Sequence, residues 1–173
     1  KELKKLLFRT GMKINKISIT KTRRDLSFQL RRYDEENVDF RKIIGDLADF
    51  RQEIPKEWND NQVGGKFRPP ALVYTPYKKI LQSQLKPIAK DFFHKVRDYT
   101  GDTNSNTREN IRIQFINNDI DCLLATSAFG MGIDKPDLWI TYYIGMPWTL
   151  KGLYQAFGRT ARRSNWPQDD TKL

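Results

Sequence analysis

Cysteine and histidine are nearly missing from this chain of 173 residues, which holds one of each, Cys122 and His94. One cysteine excludes an internal disulfide and a multi-cysteine zinc site. No serine or cysteine nucleophile pairs with the lone histidine on sequence grounds, so His94 reads as a partly buried helix-end residue and Cys122 as core. No apolar run approaches the ~20 residues that cross a bilayer. The opening KELKKLLFRTGMK is basic but lacks a long apolar centre and a small-residue cleavage site, so no signal peptide is expected. There is no internal repeat and no low-complexity tract. Together these absences predict an intracellular, reducing location and no membrane partner. Acid is the scarcer charge, with 21 Asp and Glu against 31 Lys and Arg, a net charge of +10. That balance favours polyanionic partners. It is uneven: residues 1–24 carry nine Lys/Arg against Glu2 alone. This stretch is either a solvated or docking basic segment or a phosphate-contacting patch.

Phosphate cradles of the familiar kinds are also absent. Gly130-Met131-Gly132 opens like a dinucleotide fingerprint, but Lys135 stands at the third glycine position and Pro136 follows, unable to donate an N–H. Gly64-Gly65-Lys66 looks like the end of a P-loop, yet Asp60 and Phe67 occupy the positions that need glycine and a hydroxyl. Asp34-Glu35-Glu36-Asn37 follows no buried strand, so it reads as helix-start acid rather than a metal box. Asp119 and Asp121 read as solvated turn acids, and Trp139, Tyr142 and Tyr143 as sheet packing.

What the chain has is an alternation of short apolar runs and amphipathic stretches. Strands are expected at Ile17–Thr20, Leu26–Leu30, Ala71–Tyr74, Val96–Tyr99, Asp121–Thr126 and Leu138–Ile144. The spacing of Phe40, Ile43, Ile44, Leu47, Phe50 and Ile54 predicts a helix that starts on the acids 34–36 and stops at Pro55. A second, from about Tyr77, presents Ile80, Leu81, Leu85, Ile88, Phe92 and Phe93 and should kink or divide at Pro87. A third follows a cap at Asn104 or Ser105, and a last runs from Thr149 to Arg162. Residues 55–70, with three prolines and Gly64-Gly65, read as loop. Strands separated by helices imply an α/β fold: a doubly wound, mainly parallel sheet with helices on both faces. Ligands of such sheets bind beyond the carboxyl ends of the strands. The loops after Tyr74, Tyr99, Thr126 and Ile144 are therefore where chemistry is expected.

Two segments stand out. One is ATSAFGMGIDKPD at 125–137; the other is Tyr154-Gln155-Ala156-Phe157-Gly158-Arg159-Thr160-Ala161-Arg162-Arg163, which fits a QxxGRxxR frame. They resemble motifs V and VI of superfamily 2 helicases, the first especially that of RecQ-type DNA helicases. Leu72-Val73-Tyr74-Thr75-Pro76 resembles motif IV. Tyr99-Thr100-Gly101 with Arg108 resembles the YxG segment, and Arg24-Asp25-Leu26-Ser27-Phe28 the entry strand. The likeness runs from about residue 17 to 164. It implies a RecA-like C-terminal motor domain at 17–164, between a basic linker at 1–16 and a tail at 165–173.

The resemblance further implies ATP and Mg²⁺ held mainly by a first RecA-like domain outside this chain, with that domain and DNA (a single strand or a duplex junction) as partners. This chain alone would then be inactive as an ATPase. Arg159 and Arg162 are implied as the catalytic arginines, and Gly132, Asp134, Gln155 and Gly158 as nucleotide-facing. Thr75, Thr100, Gly101, Thr126 and Ser127 are implied as contacts to DNA phosphates, and travel as 3′ to 5′. Physical chemistry is consistent with that assignment. Arginines three apart on a helix share a face, and guanidinium geometry suits charge building on a transferring phosphoryl group. Glycine inside a helix, at Gly158, points to a close approach by backbone or ligand. Ala161 departs from the frame, where a second glycine is usual. A nucleic-acid-binding module without turnover, and a superfamily 2 enzyme acting on RNA or chromatin, stay open as alternatives.

Overall fold

The chain divides into two compact units, Lys1–Val38 and Asp39–Leu173. The computed structural model describes residues 38–53, 69–129, 135, 138–147 and 149–159, so the account below concerns the second unit. The expected strands at 17–20 and 26–30, the basic stretch 1–24, most of the 55–70 loop and the domain limits at 16/17 and 164/165 lie outside the described residues.

Helix α1 spans Phe40–Glu53. Its first turn is capped by Asp39, whose Oδ1 accepts from the Lys42 N–H at 3.0 Å, a role read from sequence onto the acids further back. Ile43, Ile44 and Leu47 are buried, but Phe50 is exposed. The stripe is completed by Arg51, one turn beyond Leu47 and only 6% exposed. Strand β1, Ala71–Tyr74, is buried throughout.

Helix α2 begins as Lys78–Ile80, widens into a π-helical Leu81–Leu85 and finishes as Lys86–Phe92. Pro87 lies in the first turn of the last segment, so the helix is divided next to it. The widened turn, in which the Lys86 N–H reaches back five residues to the Leu81 carbonyl, makes room for the ring and absorbs the hydrogen bond that proline cannot make. Phe92 faces out, with the Arg41 guanidinium over its ring. Phe93 lies past the helix end in extended backbone, and its side chain is buried.

Strand β2 is Val96–Tyr99. Helix α3, Ser105–Ile116, is capped by Asn104, whose side chain accepts from the Thr107 N–H at 2.9 Å. Strands β3 and β4 are Cys122–Ala125 and Ile140–Tyr143, and helix α4 is Leu150–Phe157 with Thr149 as its cap. His94, between α2 and β2, is exposed rather than partly buried.

The four strands form one parallel sheet in the order β2-β3-β1-β4. Side chains alternate between its faces. Ala71, Val73, Val96, Cys122, Leu124 and Ile140 pack with Ile44, Leu47, Leu81, Leu85 and Ala89 of α1 and α2. Leu72, Tyr74, Leu123 and Ala125 pack on the other face with Ile111, Phe115, Phe129 and Ala156 of α3, α4 and the β3–β4 connection. Helices cover both faces, which is why β1 and β3 read as unbroken apolar runs. Burial of the Cys122 thiol pushes its pKa up to about 12, so it stays protonated core.

Two polar contacts inside this core join distant parts of the chain. Arg51 donates to Asp121 Oδ1 at 3.0 Å and to the Pro69 carbonyl, and stacks over Phe93 at 5.5 Å. Asp121 also receives the Lys95 N–H at 3.0 Å. It is thus half of a largely buried ion pair, not a solvated turn acid. Lys135, 2% exposed, donates to the Ile116 carbonyl at 3.1 Å and to Asn118 Oδ1 at 2.6 Å. Its ammonium sits at the negative end of α3, against the Phe115 ring. The lysine of the DKPD segment is therefore an internal tie between the β3–β4 connection and α3.

Candidate functional site

Register decides where the chemistry-bearing loops emerge. Tyr74 pairs with Ala125 and Tyr143, and Ala125 with Tyr99, so all four strands end level. The ladder runs one residue further: Thr75 N–H donates to Ala125 O at 3.0 Å, Thr126 N–H to Tyr99 O at 3.0 Å and Ile144 N–H to Tyr74 O at 2.8 Å. Thr75, Thr100 and Thr126 thus stand at the carboxyl ends of three adjacent strands.

Their hydroxyls are not equally available. Thr75 is buried and its Oγ1 accepts the Tyr77 N–H at 3.3 Å; Thr100 is buried and its Oγ1 accepts the Asp102 N–H at 3.4 Å. Both shape the loops that follow them. Thr126 is half-buried, while Gly101 and Ser127 are exposed. The Gly101 loop is braced by Arg108, which donates to the carbonyls of Thr103 and Gly101 and lies over the Tyr99 ring at 5.6 Å. Arg108 therefore positions the loop and stays within it.

Beside this row lies a cleft of about 260 Å³, walled by Ser127, Tyr143, Thr149, Gln155 and Arg159 among others. It gathers Ser127 and Phe129 from the 125–137 segment and Gln155, Ala156 and Arg159 from the 154–163 frame. Arg159 is 9% exposed. Its guanidinium hydrogen-bonds the Tyr74 phenol, whose hydroxyl in turn donates to the Phe129 carbonyl at 2.6 Å. Burial pushes the Tyr74 pKa up to about 12, against the opposing pull of Arg159. The Tyr143 ring stacks on Tyr74 at 6.3 Å, and its own pKa is raised by burial and by neighbouring Tyr77. The Tyr74–Arg159 link was not legible in sequence, where Tyr74 reads as one more apolar strand residue.

The helix expected to run to Arg162 ends at Phe157. Gly158 is its C-terminal cap, at φ −62° and ψ −1°. A Cβ there would lie 2.9 Å from the Tyr154 carbonyl oxygen, so the close approach implied for this glycine is made by its own helix. Arg159 consequently sits in the turn past the helix. Arg162, Gly132 and Asp134 lie outside the described residues. Among the described residues no three His, Cys, Asp or Glu side chains group to hold a metal ion, and no helix is long and apolar enough to cross a membrane.

A parallel sheet covered by helices on both faces, with its loops and cleft beyond the carboxyl strand ends, has the architecture of a RecA-like domain. The chain belongs to the helicase conserved C-terminal domain family, whose sequence profile matches residues 51–164. Its relatives include RecQ-type helicases. It is 34% identical over 93 residues to the probable ATP-dependent DNA helicase RecS of Bacillus subtilis, a match covering 54% of this chain and 19% of that protein. With the ATP-dependent DNA helicase RecQ of the same organism it shares 26% over 130 residues, covering 75% and 21%. The chain thus spans about a fifth of the length of these two relatives. The fold matches domain 2 of the DEAD-box helicase Mss116p, solved bound to an RNA duplex, with a TM-score of 0.57 and 24% identity over 73% of this chain and 48% of that one.

Proposed function

We propose that this chain is the second motor domain of a RecQ-like, ATP-dependent DNA helicase, supplying arginines to a nucleotide held mainly by a first domain and part of the path for DNA. The observation that carries this reading is the convergence of Ser127, Gln155 and Arg159 on one cleft at the carboxyl edge, next to the row of strand-end threonines. A buried guanidinium beside a neutral amide fits phosphate oxygens. The cleft is smaller than the roughly 300–1,000 Å³ that usually encloses a whole ligand, which fits a half-site. In this reading Gln155, Gly158 and Arg159, with Gly132, Asp134 and Arg162, face the nucleotide. The P-loop lysine and the Mg²⁺ carboxylates belong to the first domain. Bound ATP supplies a phosphoryl transfer whose developing charge an arginine stabilises.

On the nucleic-acid side, Gly101 and Ser127 offer backbone N–H groups, and Thr126 and Ser127 short hydroxyls, to phosphates, while Thr75 and Thr100 hold the loops in place. Such contacts give grip without base preference, as translocation requires.

The test is Arg159→Ala in the intact helicase, with DNA-stimulated ATPase turnover and DNA affinity measured side by side. Turnover should fall on the order of 10³-fold with DNA affinity nearly unchanged. Arg159→Lys should recover little, since an ammonium cannot bridge two oxygens in one plane. Near-normal turnover, or turnover and DNA affinity collapsing together, refutes the placement. The 173-residue chain alone should show no appreciable ATP hydrolysis.

A further inference from the structure

One exposed aromatic at the carboxyl edge has no part in the site described above. Tyr77 follows Thr75 in the loop from β1 to α2 and caps the first turn of that helix. Its backbone is held on both sides: the N–H donates to Thr75 Oγ1 at 3.3 Å, and the carbonyl accepts the Leu81 N–H at 3.0 Å. Its ring is held too. Gly145, in the loop after β4, has φ +100°, and a Cβ there would come within 2.7 Å of Tyr77 Cε2. The glycine therefore serves two ends, since it permits the positive φ and leaves room for the ring against the backbone.

Despite this anchoring the residue stays 43% exposed. Other large exposed apolar side chains, such as Phe50, Ile113 and Ile116, lie on helices α1 and α3. Tyr77 instead adjoins the strand-end row and is followed at once by exposed Lys78 and Lys79. Lys78 pairs with Asp102 of the Gly101 loop, which ties the Tyr77 loop to the loop two strands away, across the end of β3. A rigid aromatic surface left in water forgoes the stabilisation that its burial would bring. Packing of the loop alone would be met by a ring buried against Gly145.

We infer that the exposed surface of the Tyr77 ring is a stacking platform for one base of single-stranded DNA whose phosphates lie along the strand-end row. This rests on the DNA path proposed above and adds a base contact to it. A pre-fixed ring beside lysines is the pairing that sequence-tolerant single-strand binders use, because every base has a π-face. Lys79 supplies charge, and the ring orients the base without reading its edges.

The experiment uses the 173-residue chain and two labelled probes of equal length, oligothymidine and an abasic deoxyribose oligomer, measured by fluorescence anisotropy at several salt concentrations. Tyr77→Leu keeps apolar bulk against Gly145 and removes the π-face. It should weaken oligothymidine binding roughly 5- to 100-fold with an unchanged salt slope, and leave abasic binding as in wild type. Tyr77→Phe should bind both probes as wild type does. Wild-type affinity for oligothymidine in the leucine variant, or an equal loss on both probes, overturns the platform and leaves the DNA path standing. Failure of the wild-type chain to bind oligothymidine at all overturns both.

Discussion

Removing one oxygen, by Tyr74→Phe, tests the cleft wall directly. The Tyr74 hydroxyl is buried, donates to the Phe129 carbonyl at 2.6 Å and receives the Arg159 guanidinium. The substitution keeps the ring and its stack on Tyr143 at 6.3 Å, so no cavity larger than the lost oxygen opens. The cost is then polar. Phe129 is buried, and its carbonyl loses this donor, which costs about 1–3 kcal/mol. Arg159 borders an open cleft and recovers part of its loss from water. The expected net is about 2 kcal/mol, a drop in melting temperature on the order of 4–10 °C for a domain of this size. Urea unfolding followed by circular dichroism reads the change as a shifted midpoint at constant slope. Tyr143→Phe is the control, because that side chain is only partly buried, and it should cost under ~0.5 kcal/mol. A Tyr74→Phe loss no greater than the control's would show that the hydroxyl does not hold the wall.

Asp121→Ala should destabilise the chain by about 3 kcal/mol in the same assay, since it leaves the Arg51 cation buried with its ion-pair partner removed; pairing it with Arg51→Met should restore most of the loss, and an equally unstable double variant would contradict this account. Stability should fall as pH rises above about 9–10 toward 12: burial raises the pKa values of Tyr74 and Cys122 to about 12, so the folded state holds protons that the unfolded state has released, and that contribution is complete below the unfolded values and lost through the folded ones. A flat unfolding free energy across that range would rule out both buried groups as its source. Binding of the chain to single-stranded DNA should weaken with salt at a log–log slope of roughly −0.7 per phosphate, or about −2 to −3.5 for three to five contacts, and salt-independent binding would exclude the phosphate row.

Sequence alone determined the layers of the domain and the edge at which its strand-end loops emerge. Ala71–Tyr74 and Cys122–Ala125 could be read as strands because a strand buried on both faces must be apolar at every position. Asn104 could be read as a cap because its side chain competes for a local N–H. Both are constraints among near neighbours. The 125–137 and 154–163 segments could be tied to one family for the same reason, since their residue order is itself the signal. Partnerships across distance were decided only by the tertiary structure. Arg51 finds Asp121 seventy positions away, and Lys135 finds Ile116 nineteen positions back. A basic residue on an amphipathic helix carries no local mark of such a partner, so the sequence placed Phe50 on the buried stripe and did not single out Arg51. Sequence also overextended α4, because periodicity continues through Gly158 while the clash of a Cβ with the Tyr154 carbonyl depends on exact backbone placement. The Tyr74 hydroxyl, buried between Phe129 and Arg159, shows the limit most plainly: residue type made it a strand tyrosine, and only the sheet register and the turn after α4 made it the wall of a cleft.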